Sequence, residues 1–200
     1  MKFLAALVHA AAASELVFDS LAPLYLWGTG TTISKDKSVG VQFRTPPASS
    51  ACNPAPGIRS ISCSLALEYV NFTLRTIHIP TNVELWLQAD LFPSVYVPQP
   101  RSSSRIPIRT FARQAKFQWF PDSPIVLAPD TKYWFTVHSN GEPKDELPIW
   151  LDGAKKFSTA NDPSLDVAQA TKTELGPWHV LPLSQNRTVP SLQVYAQYIV

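Results

Sequence analysis

The residues in this sequence whose types could do chemistry are flat aromatic rings set beside amides and acids: Trp86, Trp119, Trp134 and Trp150, with Gln88, Asp90, Asn140 and Asp152 near them. Indole faces pack against the apolar faces of pyranose rings, while amides and carboxylates bond the sugar hydroxyls. In "VELWLQAD", residues 83–90, alternation puts Trp86 in phase with Glu84 and Gln88, opposite Val83, Leu85 and Leu87. Trp86, Gln88, Trp134 and Trp150 are therefore the expected ligand contacts. A tryptophan in a chain of this size is more often core than platform, so the exposure of each ring decides between the two.

A second feature is cationic. "PRSSSRIPIRTFARQAK", residues 100–116, carries Arg101, Arg105, Arg109, Arg113 and Lys116 without one acid. The spacing of four suggests a helix, but Pro107 and the Ile-Pro-Ile alternation break it. A solvated loop and charge-protected edge strand is one reading. Contact with an anionic glycan, a phospholipid headgroup or a plant-wall polymer is the other.

Signatures of catalysis are weak. Glycosidase chemistry needs two carboxyl groups held about 5 to 9 Å apart. Glu68, Glu84, Asp90, Glu142 and Asp152 sit singly on strands or in turns. No strained GxSxG elbow occurs. Asp122, Asp130 and Asp162 lie by prolines and turns, where acids serve as local acceptors, and no twelve-residue calcium loop is visible. His9, His78, His138 and His179 stand too far apart in sequence for a metal motif. No cofactor or metal is expected.

The elements that position these residues must fold outside the cell. The opening "MKFLAALVHAAAAS" has one charge at Lys2, an apolar run and small residues before a cut near Ser14, which reads as a secretory leader over residues 1–14. Its apolar stretch is about 12 residues against the roughly 20 of a membrane span, so no integral membrane association is expected. Removing Lys2 takes the formal charge from +2 to about +1, a balance that gives no argument for nucleic acid. Cys52 and Cys63 flank a Pro- and Gly-containing loop. In an exported chain they favour a disulfide, which would contribute about 3 kcal/mol by loop closure. Asn71 and Asn186 head the acceptor triplets "NFT" and "NRT", and a sugar on Asn71 requires its side chain to face solvent.

Nineteen prolines in 200 residues argue against helices. Between them lie short alternating runs: "VGVQFRT", "ISCSLALEYV", "FTLRTIHI", "VELWLQAD", "RIPIRTF", "AKFQWF", "KYWFTVHS", "PIWLDG" and "SLQVYAQYIV". These predict eight or nine strands in an all-β, antiparallel two-sheet β-sandwich of immunoglobulin or jelly-roll type, one domain over residues 15–200. "FTLRTIHI" changes face partway, which predicts a bulge or an earlier strand end. "PTN", residues 80–82, reads as a hairpin connection to "VELWLQAD". Residues 153–186 read as a polar excursion, with one short helix in "DPSLDVAQATKTELG".

Within "LAPDTKYWFTV" the spacing of Leu127, Pro129, Thr131, Tyr133, Phe135 and Val137 resembles the tyrosine corner of fibronectin type III domains. The resemblance implies that the Tyr133 hydroxyl returns to nearby backbone and that Leu127 plugs the core. From about residue 65 onward the chain also resembles secreted microbial β-sandwich domains, fungal ones among them, with a "YW" strand, departing in Asp130 where glycine is common and in the basic insertion after Pro98. No catalytic residue is implied.

The sequence thus points to a secreted, non-catalytic binding or surface-associated module whose preferred ligand is a cell-wall or extracellular glycan. The alternatives are a structural or host-interaction protein with a protein partner, and a secreted hydrolase with an unrecognised acid pair.

Overall fold

A computed structural model describes residues 14–25, 28–47, 64–79, 84–93, 105–143, 147–157, 167–173, 176–182 and 188–199. The segment read as leader up to residue 13, Cys52, Cys63, Arg101 and Asn186 lie outside the described residues. Within them the chain is all-β and without a helix, folded into two antiparallel sheets. One holds β1 (Glu15–Asp19), β2 (Gly30–Thr32), β4 (Ser64–Arg75), β7 (Ala115–Trp119), β8 (Val126–Leu127), β10 (Ile149–Leu151) and β13 (Leu192–Ile199). The other runs β12 (Trp178–Pro182), β11 (Ala168–Thr173), β3 (Lys37–Arg44), β9 (Lys132–Ser139), β5 (Trp86–Pro93), β6 (Arg105–Pro107).

Alternation decides which side chains meet between the sheets. In β7, Ala115, Phe117 and Trp119 are buried while Lys116 and Gln118 are exposed. In β9, Tyr133, Phe135 and Val137 enter the main core. Phe135 is its hub: its ring lies 5.6 Å from Phe72, 5.5 Å edge-on to Trp119 and 6.0 Å edge-on to Trp150, all on the opposite sheet. Burying a ring of this kind contributes about 2 to 3 kcal/mol from surface removed from water. Off-parallel ring pairs add to that because electron-poor edges meet electron-rich faces.

The corner ahead of β9 joins the sheets. β8 pairs with β4 in one sheet and β9 with β3 in the other. Ala128 N donates to the buried Tyr133 hydroxyl at 2.8 Å, and Leu127 is fully buried beneath it. Thr45 seals the turn by donating from Oγ1 to Ala128 O at 2.7 Å and accepting from Thr131 N at 2.9 Å. Asp130 sits at φ 49°, a left-handed backbone in which Asp is tolerated better than bulkier side chains. Its Oδ1 also accepts from Arg44 Nη1 at 3.0 Å.

Several expectations change. The runs "ISCSLALEYV" and "FTLRTIHI" contribute to one strand, β4, which ends at Arg75, and this explains the change of face beyond it. A register shift against β13 brings Leu67 and Val70 both inward. The "PTN" segment, residues 80–82, lies outside the described residues, and β4 and β5 on either side of it belong to different sheets and form no hairpin. The helix expected in residues 162–176 is not found among the described part, where residues 168–173 form β11, paired with β12 and β3.

Candidate functional site

The outer face of the sheet built on β3, β5 and β9 collects the polar and aromatic residues. Leu85, just ahead of β5, and Leu87, Ala89 and Leu91 on it point into the core, which turns Trp86, Gln88, Asp90 and Phe92 outward. On β9 the same logic turns Trp134, Thr136 and His138 outward. Pairing registers then align one residue from each of six strands: Trp178, Lys172, Ser38, His138, Gln88 and Arg105. At about 4.8 Å per strand the row is about 24 Å long. A second row behind it runs Val180, Ala170, Gly40, Thr136, Asp90, and a third includes Ala168, Gln42, Trp134 and Phe92.

The rows differ in kind. Phe92, Trp134, Ala168 and Ala170 are buried and form a separate apolar cluster, with Trp178 and Val180 packed against them. Over the first two rows opens a pocket of about 390 Å³. Gln88, Asp90, Thr136 and His138 line it from β5 and β9, with Ser38 from β3. Lys172, Thr173 and Trp178 close the side formed by β11 and β12, and Lys35 stands at the rim. Trp178, packed against that cluster, also lines the pocket and gives it an apolar wall beside its polar residues.

Among the described residues, charge at the site is mixed, with an excess of cations. Arg105 lies with its guanidinium carbon 4.5 Å from the Trp86 ring centroid, a cation–π contact that keeps the charge while holding the side chain flat. Lys35 is paired with Glu142 at 2.8 Å, both partly exposed. Among the described residues, Asp90 is the one carboxylate lining the pocket. Ser38 Oγ and His138 Nδ1 are 3.2 Å apart, and the Trp86 and His138 rings are 6.0 Å apart. Burial, and after it the Lys172 ammonium, hold the His138 pKa below its ordinary value. A neutral imidazole can donate with one nitrogen and accept with the other.

The expected site residues separate clearly. Trp86 and Gln88 are half-buried on this face, as their phase predicts. Trp134 is on the same face but fully buried under the apolar cluster, so it offers no ring to a ligand. Its indole nitrogen is buried without a hydrogen-bond partner among the described residues. Trp150 is a core residue, fully buried, its Nε1 donating to Ser191 O at 2.8 Å. Both rings therefore leave the set of ligand contacts, for want of any exposed face. Trp119 is buried as well. Asn140 is occupied with backbone: its Oδ1 accepts from Trp86 N at 2.8 Å and its Nδ2 donates to Glu84 O at 3.1 Å, fastening the start of β5. Asp152 accepts from Thr29 Oγ1 at 2.8 Å beyond β10, and burial raises its pKa.

Of the basic stretch, Arg105, Arg109, Arg113 and Lys116 are all exposed. Only Arg105 joins the six-strand row; Lys116 pairs into the other sheet opposite Thr73. Asn71, on β4 of that sheet, is half-buried on its outer side. Sequence reasoning missed Ser38, Thr136, His138, Lys172 and Trp178. Thr136 and His138 were within reach, since they continue the phase of Trp134. Trp178 and Lys172 lie on a hairpin whose polar composition hides its strands.

Among the described residues no cluster of three or more His, Cys, Asp or Glu side chains could hold a metal ion, and no helix is long and apolar enough to cross a membrane. In comparisons with known proteins, no family model, no curated sequence and no solved structure matched this chain.

Proposed function

We propose that this protein is an exported, non-catalytic binding or surface-associated module that holds an extracellular or cell-wall oligosaccharide bearing acidic groups. The carrying observation is the six-strand row that ends in Trp178 with Lys172 on one side and in Gln88 with Arg105 over Trp86 on the other. About 24 Å of pairing-aligned side chains suits an extended chain of several sugars better than a single one. Trp178 supplies an apolar wall. Gln88, Thr136 and His138 supply hydroxyl partners, and Lys172 and Arg105 supply counter-charges to carboxylate or sulfate. Lys172 lines the pocket, so its ammonium faces a ligand held there. Immunoglobulin- or jelly-roll-like connectivity, a leader over residues 1–14, a Cys52–Cys63 disulfide and sugars on Asn71 and Asn186 belong to the same proposal.

An array of neutral and acidic glycans tests it, with wild type compared against Gln88→Ala. The expected result is retention of uronate or sulfated chains, weakened about tenfold in the variant, corresponding to about 1.4 kcal/mol. Retention confined to neutral glycans, or none, would reject the acidic-ligand reading. A second reading, hydrolysis, has one observation in its favour. The Ser38–His138 contact has the geometry of a hydroxyl beside a base. Incubating bound oligosaccharide with wild type and Ser38→Ala distinguishes the two, because a binding module leaves the chain intact in both cases.

A further inference from the structure

The outer face of the other sheet carries a second aromatic row. β1, β13 and β4 align Leu16, Tyr195 and Tyr69, and Phe120, just past β7, follows on the far side. The Tyr69 and Tyr195 rings stack at 4.6 Å, and Phe120 lies 5.8 Å from Tyr69. Leu16 and Phe120 are 47% and 56% exposed and Tyr69 and Tyr195 between them are half-buried, so the strip is open at both ends and about 14 Å long at strand spacing. Beside it the register places a row of amides: Gln193, Asn71 and Gln118.

We infer that this strip is the seat of a glycan attached to Asn71, rising from the amide row and lying back over Tyr69 and Phe120. The chain itself names the occupant. Asn71-Phe72-Thr73 is an acceptor triplet, and Tyr69 is two residues before Asn71 in a regular stretch of β4. Two residues along a strand share a face about 7 Å apart, the distance at which the first sugar meets the ring. Sugar faces rich in C–H bonds shield exposed rings, while Gln118 and Gln193 flank Asn71 with donors and acceptors for an acetamido group. An exposed apolar strip on an exported protein is otherwise a site for self-association.

The attachment is a group transfer from a polyprenyl-diphosphate-linked oligosaccharide. The Asn71 amide nitrogen bonds the anomeric carbon, the bond from that carbon to the diphosphate oxygen breaks, the diphosphate leaves with the electron pair, and one amide proton is released. The inference rests on the proposed export and on the proposed sugar at Asn71, and is independent of the ligand proposed for the opposite sheet.

The test expresses the whole chain behind a host leader in a eukaryotic secretory host, in an Asn186→Gln background, so that neither export nor the second triplet is at issue. Glycopeptide mass spectrometry reads occupancy at Asn71. Thermal midpoints of the sugar-bearing protein and its Asn71→Gln form are then compared in three backgrounds: unaltered, Tyr69→Ala and Phe120→Ala. Bacterially made protein without sugar supplies the effect of the Asn71→Gln substitution alone. Expected is an occupied Asn71 whose sugar raises the midpoint by about 2 to 4 °C, with that gain falling below about 1 °C in either ring variant. An unoccupied Asn71, or an equal gain in all backgrounds, overturns the inference. Phe120 is exposed, so its variant keeps the test informative if Tyr69→Ala fails to fold.

Discussion

His138 shows how one half-buried ring can tie the site to pH. Its folded pKa is depressed, first by burial and then by Lys172, so the folded state binds fewer protons than the unfolded chain between the two pKa values. Stability from this group is complete above the unfolded value of about 6.5 and is lost as pH falls through the lower folded value. The expected outcome is a midpoint that declines on acidification below about pH 6.5, with a flatter decline in His138→Gln; superimposable pH profiles would contradict it. The sequence makes the outward phase of His138 readable from Trp134 and Thr136. It cannot show Ser38, which is brought to it from 100 residues away. Leu21 is a simpler residue-scale case. It is exposed and held at φ 64°, where a side chain costs about 1 to 2 kcal/mol that glycine does not incur. Leu21→Gly is expected to raise the thermal midpoint by about 2 to 4 °C.

Strands explain why some rings are core and others are surface. In β9 the inward set Tyr133, Phe135 and Val137 was readable from alternation, and Tyr133 and Phe135 are buried as their phase predicts. The fate of Trp134 was not readable, because its cover comes from Phe92 on β5 and from the alanines of β11. β11 itself is hidden in the sequence for a physical reason: "AQATKT" turns only two small apolar residues to the cluster, Ala168 and Ala170, and alternates them with polar ones. Small residues fit there because the Trp134 ring fills the space above them. Trp134→Ala should therefore cost about 3 to 5 kcal/mol, measurable by denaturant unfolding. Trp178→Ala, at the half-buried edge of the same cluster, should cost less and also weaken glycan binding. A Trp178 variant with unchanged binding would remove that ring from the site.

At the scale of the whole molecule, proline content and alternation made the all-β class legible, while the assignment of strands to sheets was not. Local periodicity fixes which face of a strand is apolar. It says nothing about its neighbours, so β4 and β5 read as a hairpin although they lie in opposite sheets. Distribution of charge followed the same rule. The basic stretch was visible in sequence, but only the fold shows that Arg105 joins the six-strand row while Lys116 belongs to the other sheet. The two outer faces thus have different characters, one a polar pocket with cations at its margins and the other an aromatic strip beside amides. The most direct measurement of the central claim is a calorimetric titration of the protein with an acidic oligosaccharide of several residues, comparing wild type with the Arg105→Ala, Lys172→Ala double variant. The account predicts saturable binding by wild type that weakens with added salt and falls at least about tenfold in a folded double variant. Equal affinity in the two proteins, or no binding by wild type, would contradict it.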